Sequence, residues 1–220
     1  MNKRGDIASR RVVVFDYDGT LADTKAGIIA TATTVLTRWG LSEEDLAPIG
    51  NIIGPPFPEA YEQVFGLSHE DAVEVTRQYR EIYHKKGVEA WPAFPGVVAM
   101  LRELKAAGKA LAVASSKTSD LVRRGLADNE VADLFDAVCA KERDGESTKA
   151  DAIRAALAAL DATPDDAVMV GDRFHDVDAA TECGVPCVGV LYGKTADRAE
   201  LEGAVAVADT VDELQALLLG

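Results

Sequence analysis

The sequence is poor in cysteine and in long apolar segments. It holds three cysteines in 220 residues, and their odd number and apolar neighbours favour buried reduced thiols over a disulfide framework. Cys183 and Cys187 lack the second ligand pair expected of a structural zinc site. No stretch reaches the roughly 18 apolar residues of a membrane span, and the charged start of the chain lacks the apolar region of a signal peptide. We therefore expect a soluble cytoplasmic protein.

Positive charge is also scarce. The chain has 23 lysines and arginines against 37 aspartates and glutamates, a formal net charge of -14. Nucleic acids and anionic membranes attract basic surfaces, so this balance argues against both as partners. A ligand that carries phosphate must therefore meet positive charge concentrated locally. The hydrophobic share of 48% is enough for a core, and the length suits one domain with a smaller insertion.

The most informative segment is the apolar run Val12–Phe15, which ends directly in Asp16 and Asp18. Its β-branched residues predict a buried parallel strand, and the carboxyl end of such a strand is where open α/β sheets bind ligands. Two like charges this close raise each other's pKa, so the arrangement is costly unless a cation is shared between them or one carboxyl keeps its proton. Gly19 allows the sharp turn that follows. An Asp-rich turn without chemistry would show the same local pattern.

Strands and helices alternate from Gly96 onward. We predict further strands at 110–114, 137–140, 167–170 and 186–191, with helices between them and a capping box of Thr210 and Glu213 before the last helix. This alternation predicts an α/β fold with a parallel sheet covered by helices on both faces.

The segment 22–91 interrupts this pattern because it contains helical periodicity but no convincing strand. Ile28, Ala32, Val35 and Trp39 line one predicted helix, and a second runs from about His69 to Lys86. A loop with three prolines, at 51–58, lies between them. We therefore predict a small helical domain at 22–91, inserted between residues 1–21 and 92–220 of the α/β domain.

Polar side chains follow the other strands as they follow the first. Ser115, Ser116 and Lys117 come after one strand, and Asp172 and Asp176 come after another. Lys149 opens a helix between them. Taken singly, these residues are also ordinary helix caps or solvated charges. Taken together, a hydroxyl, a lysine and four carboxylates at one sheet edge suit a hard divalent cation and a phosphate.

These motifs resemble, in order, the four motifs of the haloacid dehalogenase superfamily in its phosphatase branch. They are Asp16-Tyr17-Asp18-Gly19-Thr20, Ser115, Lys149 and Gly171-Asp172-Arg173-Phe174-His175-Asp176. The resemblance covers nearly the whole chain and implies a Rossmann-like core with an inserted helical cap, as in the phosphoglycolate phosphatase and β-phosphoglucomutase group. The loop 54–57 and the stretch 169–173 look closest to phosphoglycolate phosphatase-like and 5'-nucleotidase-like members.

The resemblance implies a Mg²⁺-dependent phosphatase for a small phosphorylated metabolite. Asp16 is then the nucleophile that forms an aspartyl phosphate, and Asp18 is the general acid and later the general base. Ser115 and Lys149 hold the phosphoryl oxygens. The metal is expected on the Asp16 carboxylate, the Asp18 carbonyl and the Asp172 carboxylate, while Asp176 holds metal-bound waters or orients Lys149. Whether the protein is a monomer or a homodimer stays open.

The resemblance also points to residues that contact the substrate: Gly19, Thr20, Ser116, Lys117, Gly54, Pro55 and Phe57. For Lys117 the alternatives are substrate, Asp176 or solvent. For Phe57 they are an apolar surface for the leaving group or a place in the core of the cap. His175 is expected to be a loop residue without a catalytic role.

Two other functions compete with hydrolysis. A phosphosugar mutase forms the same aspartyl phosphate but returns the phosphoryl group to a second hydroxyl. A non-catalytic phosphate-binding protein would be expected to lack at least one of Asp16, Asp18, Lys149 and Asp172, and all four are present. Dehalogenase chemistry works without an acid at position 18 and is disfavoured.

Overall fold

The computed structural model describes residues 7–53, 55–142 and 147–220, and these divide into two compact units. The first unit joins the chain up to Asp23 with Ala93–Gly220, and the second is Thr24–Pro92. Ala22 and Ala93 form an antiparallel bridge, so the chain leaves the first unit and returns to it at neighbouring points. Within the described residues, no helix is both long enough and apolar enough to cross a membrane.

The first unit is built on a parallel sheet of six strands in the order β3-β2-β1-β4-β5-β6. The strands are β1 (Val12–Phe15), β2 (Ala110–Thr118), β3 (Ala137–Lys141), β4 (Ala167–Gly171), β5 (Cys187–Val190) and β6 (Ala206–Ala208). Every residue of β1 and β4 is buried, so both faces of the central sheet are covered. The predicted α/β fold with a parallel sheet is therefore confirmed.

Four helices lie between these strands and a fifth, α8, follows β6: α4 (Val97–Ala106), α5 (Ser119–Asp128), α6 (Lys149–Ala159), α7 (Phe174–Glu182) and α8 (Val211–Leu219). The apolar sides of α6 and α7 share one core with β1, β2 and β4, in which Ile153, Ala156 and Ala180 are fully buried. Thr210 caps α8 by accepting a hydrogen bond from the Glu213 N–H at 3.1 Å. The Glu213 carboxylate accepts from Asp209 rather than from Thr210, so the predicted capping box is only half formed.

The second unit contains α1 (Lys25–Arg38), α2 (Glu59–Phe65) and α3 (His69–Tyr83) and no strand among its described residues. Its core includes a row of contacting aromatic rings with centroids 4.7–5.2 Å apart: Phe57, Tyr61, Tyr79, Tyr83 and Trp91. Tyr61, Tyr83 and Trp91 are fully buried. That this unit acts as a cap stays a prediction.

The three cysteines are free thiols, with Cys187 buried and Cys139 and Cys183 half-buried. Burial raises the pKa of each of the three thiols, which keeps them protonated.

Candidate active site

The order of the strands brings the polar segments together. β1 lies between β2 and β4, with Phe15 level with Val113 on one side and Val170 on the other. The Asp16 N–H continues the ladder by donating to the Val170 carbonyl at 2.9 Å. Because all three strands are parallel, the residues that follow each of them lie along the same edge of the sheet.

Three carboxylates meet at this edge. Asp16, Asp172 and Asp176 each offer an oxygen within 4.8 Å of the other two, and their exposed fractions are 6%, 2% and 0%. Among the described residues, no other group of three or more histidine, cysteine or acidic side chains lies this close together. Buried carboxylates repel one another and are costly unless positive charge compensates them.

Lys149 supplies that positive charge. Its ammonium lies 2.8 Å from Asp16 Oδ2 and 2.5 Å from Asp176 Oδ1, and its side chain is 11% exposed. Burial alone would lower the pKa of Lys149, but the charges of Asp16 and Asp176 outweigh this effect and raise it above its usual range. Lys149 therefore stays charged and bridges two of the three acids.

Lys149 reaches the acids because α6 begins at this residue. Thr148 caps the helix, its hydroxyl accepting from the Asp151 N–H at 3.1 Å while Asp151 accepts from the Thr148 N–H at 2.9 Å. A cation in the first turn interacts unfavourably with the helix dipole, so a lysine at position 149 is not the residue that the helix alone would favour. Such departures are expected where a residue is kept for its chemistry.

Both carboxylate oxygens of Asp176 have hydrogen-bonding partners. Oδ1 faces Lys149, and Oδ2 accepts from the backbone N–H groups of Asp172 and Arg173 at 3.1 and 3.0 Å. A side chain on Gly171 would lie 2.3 Å from the Asp176 Cβ, so only glycine fits beside it. Asp176 thus contacts Lys149 directly, and both roles expected for it, orienting Lys149 or holding metal-bound waters, stay predictions.

Burial sets the protonation of the other two acids. It raises the pKa of Asp16 to about 6 even though Lys149 lowers it, and Asp176 raises it further. Burial also raises the pKa of Asp172 to about 8, with added repulsion from Asp176 and Asp16. Without a metal ion, Asp172 thus favours its protonated form at neutral pH.

The turn after β1 packs directly against Asp172. Gly19 has a positive φ of 76°, and a Cβ at this position would lie 2.2 Å from Asp172 Oδ2. The Thr20 hydroxyl donates to Asp172 Oδ1 at 3.1 Å. Both residues were predicted to contact the substrate, and the structure places them beside a predicted metal ligand.

Lys117 contacts Asp18, which was not among the partners predicted for it. Its Nζ lies 2.8 Å from Asp18 Oδ1, and its side chain is 9% exposed. Ser115 is buried, and its hydroxyl oxygen accepts from the Lys117 N–H at 3.4 Å. Ser116 is exposed. Ser115, Ser116 and Lys117 belong to β2, so our prediction that this strand ends at Ala114 is wrong. β2 is longer because it continues to pair with β3 past the end of β1, with a register shift between Ser115 and Thr118.

The predicted substrate-binding residues of the second unit have different outcomes. Gly54 lies outside the described residues, and Pro55 is half-buried. Phe57 is also half-buried, and its ring packs on Tyr61 and Tyr79 with centroids 4.7 and 5.1 Å away. It therefore takes part in the aromatic core of this unit. His175 is exposed and its ring lies against Phe174.

Sequence reasoning missed two residues of the segment after β5. The Thr195 hydroxyl donates to Asp172 Oδ2, and the Tyr192 hydroxyl donates to the Thr20 carbonyl at 2.7 Å. The signal that could have found them is that functional residues follow the carboxyl ends of the parallel strands. β5 is also parallel and ends at the same edge of the sheet. Applied to β5, that rule singles out 191–195.

Comparison with known proteins identifies what these features resemble. A family model described as haloacid dehalogenase-like hydrolase matches residues 13–190. A 5'-nucleotidase of Pseudomonas aeruginosa is 35% identical over 182 residues, which is 82% of this chain and 82% of that protein. The tyrosine-protein kinase PtkA of Mycobacterium tuberculosis is 37% identical over 216 residues, 96% of this chain and 73% of that one.

A solved structure supports the same relationship. The crystal structure of a predicted phosphatase from Clostridium acetobutylicum superposes with a TM-score of 0.87 at 34% identity, covering 96% of this chain and 98% of that one.

Proposed function

This chain belongs to the haloacid dehalogenase-like hydrolases, and we propose that it is a Mg²⁺-dependent phosphatase that hydrolyses a small phosphate monoester through an aspartyl phosphate. The observation that carries the proposal is the buried ion pair of Lys149 with Asp16, at the edge where Asp172 also lies. A nucleophile, a fixed cation and further acidic ligands are the components that phosphoryl transfer requires.

The acidic residues suit a magnesium ion. Oδ1 of Asp16 is buried and accepts no hydrogen bond from the described residues, although an uncompensated buried carboxylate oxygen is costly. Oxygen ligands from carboxylates and carbonyls are those that Mg²⁺ prefers. We assign the ion to the carboxylates of Asp16 and Asp172 and to the Asp18 carbonyl. When bound, it would neutralise charge on the phosphoryl oxygens.

In the first half-reaction, an Asp16 carboxylate oxygen attacks phosphorus and the bond from phosphorus to the leaving oxygen breaks. Asp18 donates its proton to that oxygen, and the alcohol departs. Lys149 and the Ser115 hydroxyl hold the phosphoryl oxygens as their charge develops. Lys117 restrains the Asp18 carboxyl group through its contact with Oδ1.

In the second half-reaction, Asp18 takes a proton from water, which attacks the phosphorus of the aspartyl phosphate. The bond between phosphorus and the Asp16 oxygen breaks, inorganic phosphate is released and Asp16 is regenerated. One residue therefore acts as acid and then as base.

The relative named a tyrosine-protein kinase favours a second candidate, in which a tyrosyl hydroxyl instead of water receives the phosphoryl group. A phosphosugar mutase would likewise direct the group to a hydroxyl. The same residues of the first unit serve all three reactions, so the fate of the phosphoryl group distinguishes them.

The test is a screen of phosphate monoesters with Mg²⁺ and with chelator, following inorganic phosphate. Nucleoside monophosphates, phosphoglycolate and sugar phosphates are the first substrates, and Asp16→Asn is the matched inactive variant. Phosphate release that requires both Mg²⁺ and Asp16 supports the proposal. Labelled ATP with a tyrosine peptide forms a separate arm, and label found only in the peptide would favour the kinase instead.

A further inference from the structure

The segment Tyr192–Thr195, which follows β5, contacts the predicted metal site at three points. Thr195 donates to Asp172 Oδ2, Tyr192 donates to the Thr20 carbonyl, and Gly193 lies against the Gly19 carbonyl. A Cβ on Gly193 would lie 2.5 Å from that oxygen, so the two segments are in direct backbone contact. Tyr192, Gly193 and Thr195 lie outside the four motifs.

The Asp172 carboxylate receives one hydroxyl on each oxygen. Thr20 donates to Oδ1 at 3.1 Å, and Thr195 donates to Oδ2. The two hydroxyls come from opposite sides in the sequence, one after β1 and one after β5. Two donors on two oxygens fix the rotation of a carboxylate, which a single donor does not do.

Tyr192 adds an indirect contact to the same carboxylate. Its hydroxyl holds the carbonyl of Thr20, whose side chain is one of the two donors to Asp172. The Tyr192 ring is itself held edge-on by Phe94, with centroids 5.3 Å apart. The segment therefore acts on Asp172 both through Thr195 and through the position of Thr20.

We propose that Thr195 is a positioning residue that orients the Asp172 carboxylate for Mg²⁺, with Tyr192 supporting the opposite donor. The inference rests on the proposed function, because it needs the metal to bind at Asp172. Hydrogen-bonding partners behind a metal ligand fix its orientation, and their loss weakens metal affinity or activity by about 10- to 100-fold.

The test compares Thr195→Val, which keeps the shape of the side chain and removes the hydroxyl, with Thr195→Ser, which keeps the hydroxyl. Thr181→Val makes the same change at an exposed position of α7 and is the matched control. Mg²⁺ affinity is measured by calorimetry and by the metal-induced rise in melting temperature, neither of which requires a substrate.

We expect Thr195→Val to weaken Mg²⁺ binding by about 10- to 100-fold, and Thr195→Ser and Thr181→Val to bind like the parent. Without metal, Thr195→Val should melt somewhat below the parent because Asp172 Oδ2 loses its donor, so the quantity compared is the rise in melting temperature that Mg²⁺ produces in each variant. Parent-like binding by Thr195→Val would overturn the inference, as would equal weakening in Thr195→Ser. If the parent protein itself bound no Mg²⁺, both the proposed function and this inference would fail. That outcome is distinguishable from parent-like Mg²⁺ binding by Thr195→Val, which overturns the inference alone.

Discussion

The Lys149 ammonium lies 2.8 Å from Oδ2 of Asp16, although the two residues belong to distant parts of the chain. The contact leaves Oδ1 of Asp16 buried without a hydrogen-bond donor among the described residues. One oxygen of the proposed nucleophile is thus fixed by a cation, and the other is available to a metal ion or to phosphorus.

Lys149→Ala should lower both activity and stability. Removal of one preorganised electrostatic group typically costs about 10²- to 10³-fold in rate. The variant also leaves two buried carboxylates without their cation, for which we expect a loss of about 3–5 kcal/mol in the free energy of unfolding. The measurements are kcat and denaturant unfolding.

Lys105→Ala is the matched control, because Lys105 pairs with Asp136 at 2.8 Å but both side chains are partly exposed. Exposed pairs contribute about 0–1 kcal/mol, so this variant should be nearly as stable as the parent and fully active. A stability loss of the same size in both variants would contradict a special role for Lys149.

Asp18→Asn should cause the aspartyl phosphate on Asp16 to accumulate. An activated substrate such as p-nitrophenyl phosphate needs little help from an acid, so transfer to Asp16 continues, whereas hydrolysis of the aspartyl phosphate loses its base. Mass spectrometry of acid-quenched protein should show one added phosphoryl group. Asp16→Asn treated in the same way should show none, and parental turnover of an alkyl phosphate by Asp18→Asn would refute the two-step scheme.

The protein without metal should lose stability as pH rises from about 4 to about 8. The folded pKa values of Asp16 and Asp172, about 6 and about 8, lie above the ordinary value of 3.8. The folded state therefore binds more protons than the unfolded state in this window, and each such proton lowers the free energy of unfolding by about 1.4 kcal/mol per pH unit. Chemical unfolding in chelator at several pH values measures the slope.

The Asp172→Asn variant and the addition of Mg²⁺ test whether the buried acids cause this pH dependence. Asp166 and Glu74 have pKa values lowered to about 2 from ordinary values of 3.8 and 4.5, so their stabilising contributions rise up to about pH 5.5 and are constant above it. Asp172→Asn should flatten the slope, and Mg²⁺ should stabilise the parent more at pH 8 than at pH 5, because the ion competes with protons for the carboxylates. Stability that rises through this window in chelator would show that the buried carboxyls are ionised without a metal.

Phe57→Ala should change which substrates are preferred. Its ring contacts Tyr61 and Tyr79 but stays half-buried, and we predict that its exposed part contacts the leaving group. We expect kcat/KM to change more among natural phosphate esters than on p-nitrophenyl phosphate. Val73→Ala, an exposed apolar residue of the same unit, is the control. A uniform loss across substrates with a lower melting temperature would assign Phe57 to the core alone.

The sequence predicted those elements whose apolar pattern is strong. β1 and β4 are apolar runs whose residues are all buried, and β1 has the bounds we expected. β6 was missed because its three residues form too short a run to be distinguished. α2 was missed for a similar reason, since its seven residues directly follow a proline-rich loop.

The site was predictable where residues follow a strand and unpredictable where partners had to be assigned. Asp16, Asp172 and Asp176 gather as the parallel topology requires. The pairing of Lys117 with Asp18 depends on the continuation of β2 past the end of β1, which no local pattern signals. No sequence pattern distinguishes Thr195 from other threonines outside helices and strands. Its contact with Asp172 depends on the position of β5 in the sheet.

The position of β1 in the sheet also bears on how a newly synthesised chain folds. β1 is made first, yet its neighbours β2 and β4 come from the middle and the last third of the sequence. Pairings between such distant segments form slowly, and a strand that waits for its neighbour presents an open edge to other chains. The nascent chain is therefore most exposed to aggregation on the ribosome while β4 is still being synthesised, and the carboxylates are forced together only when that strand docks.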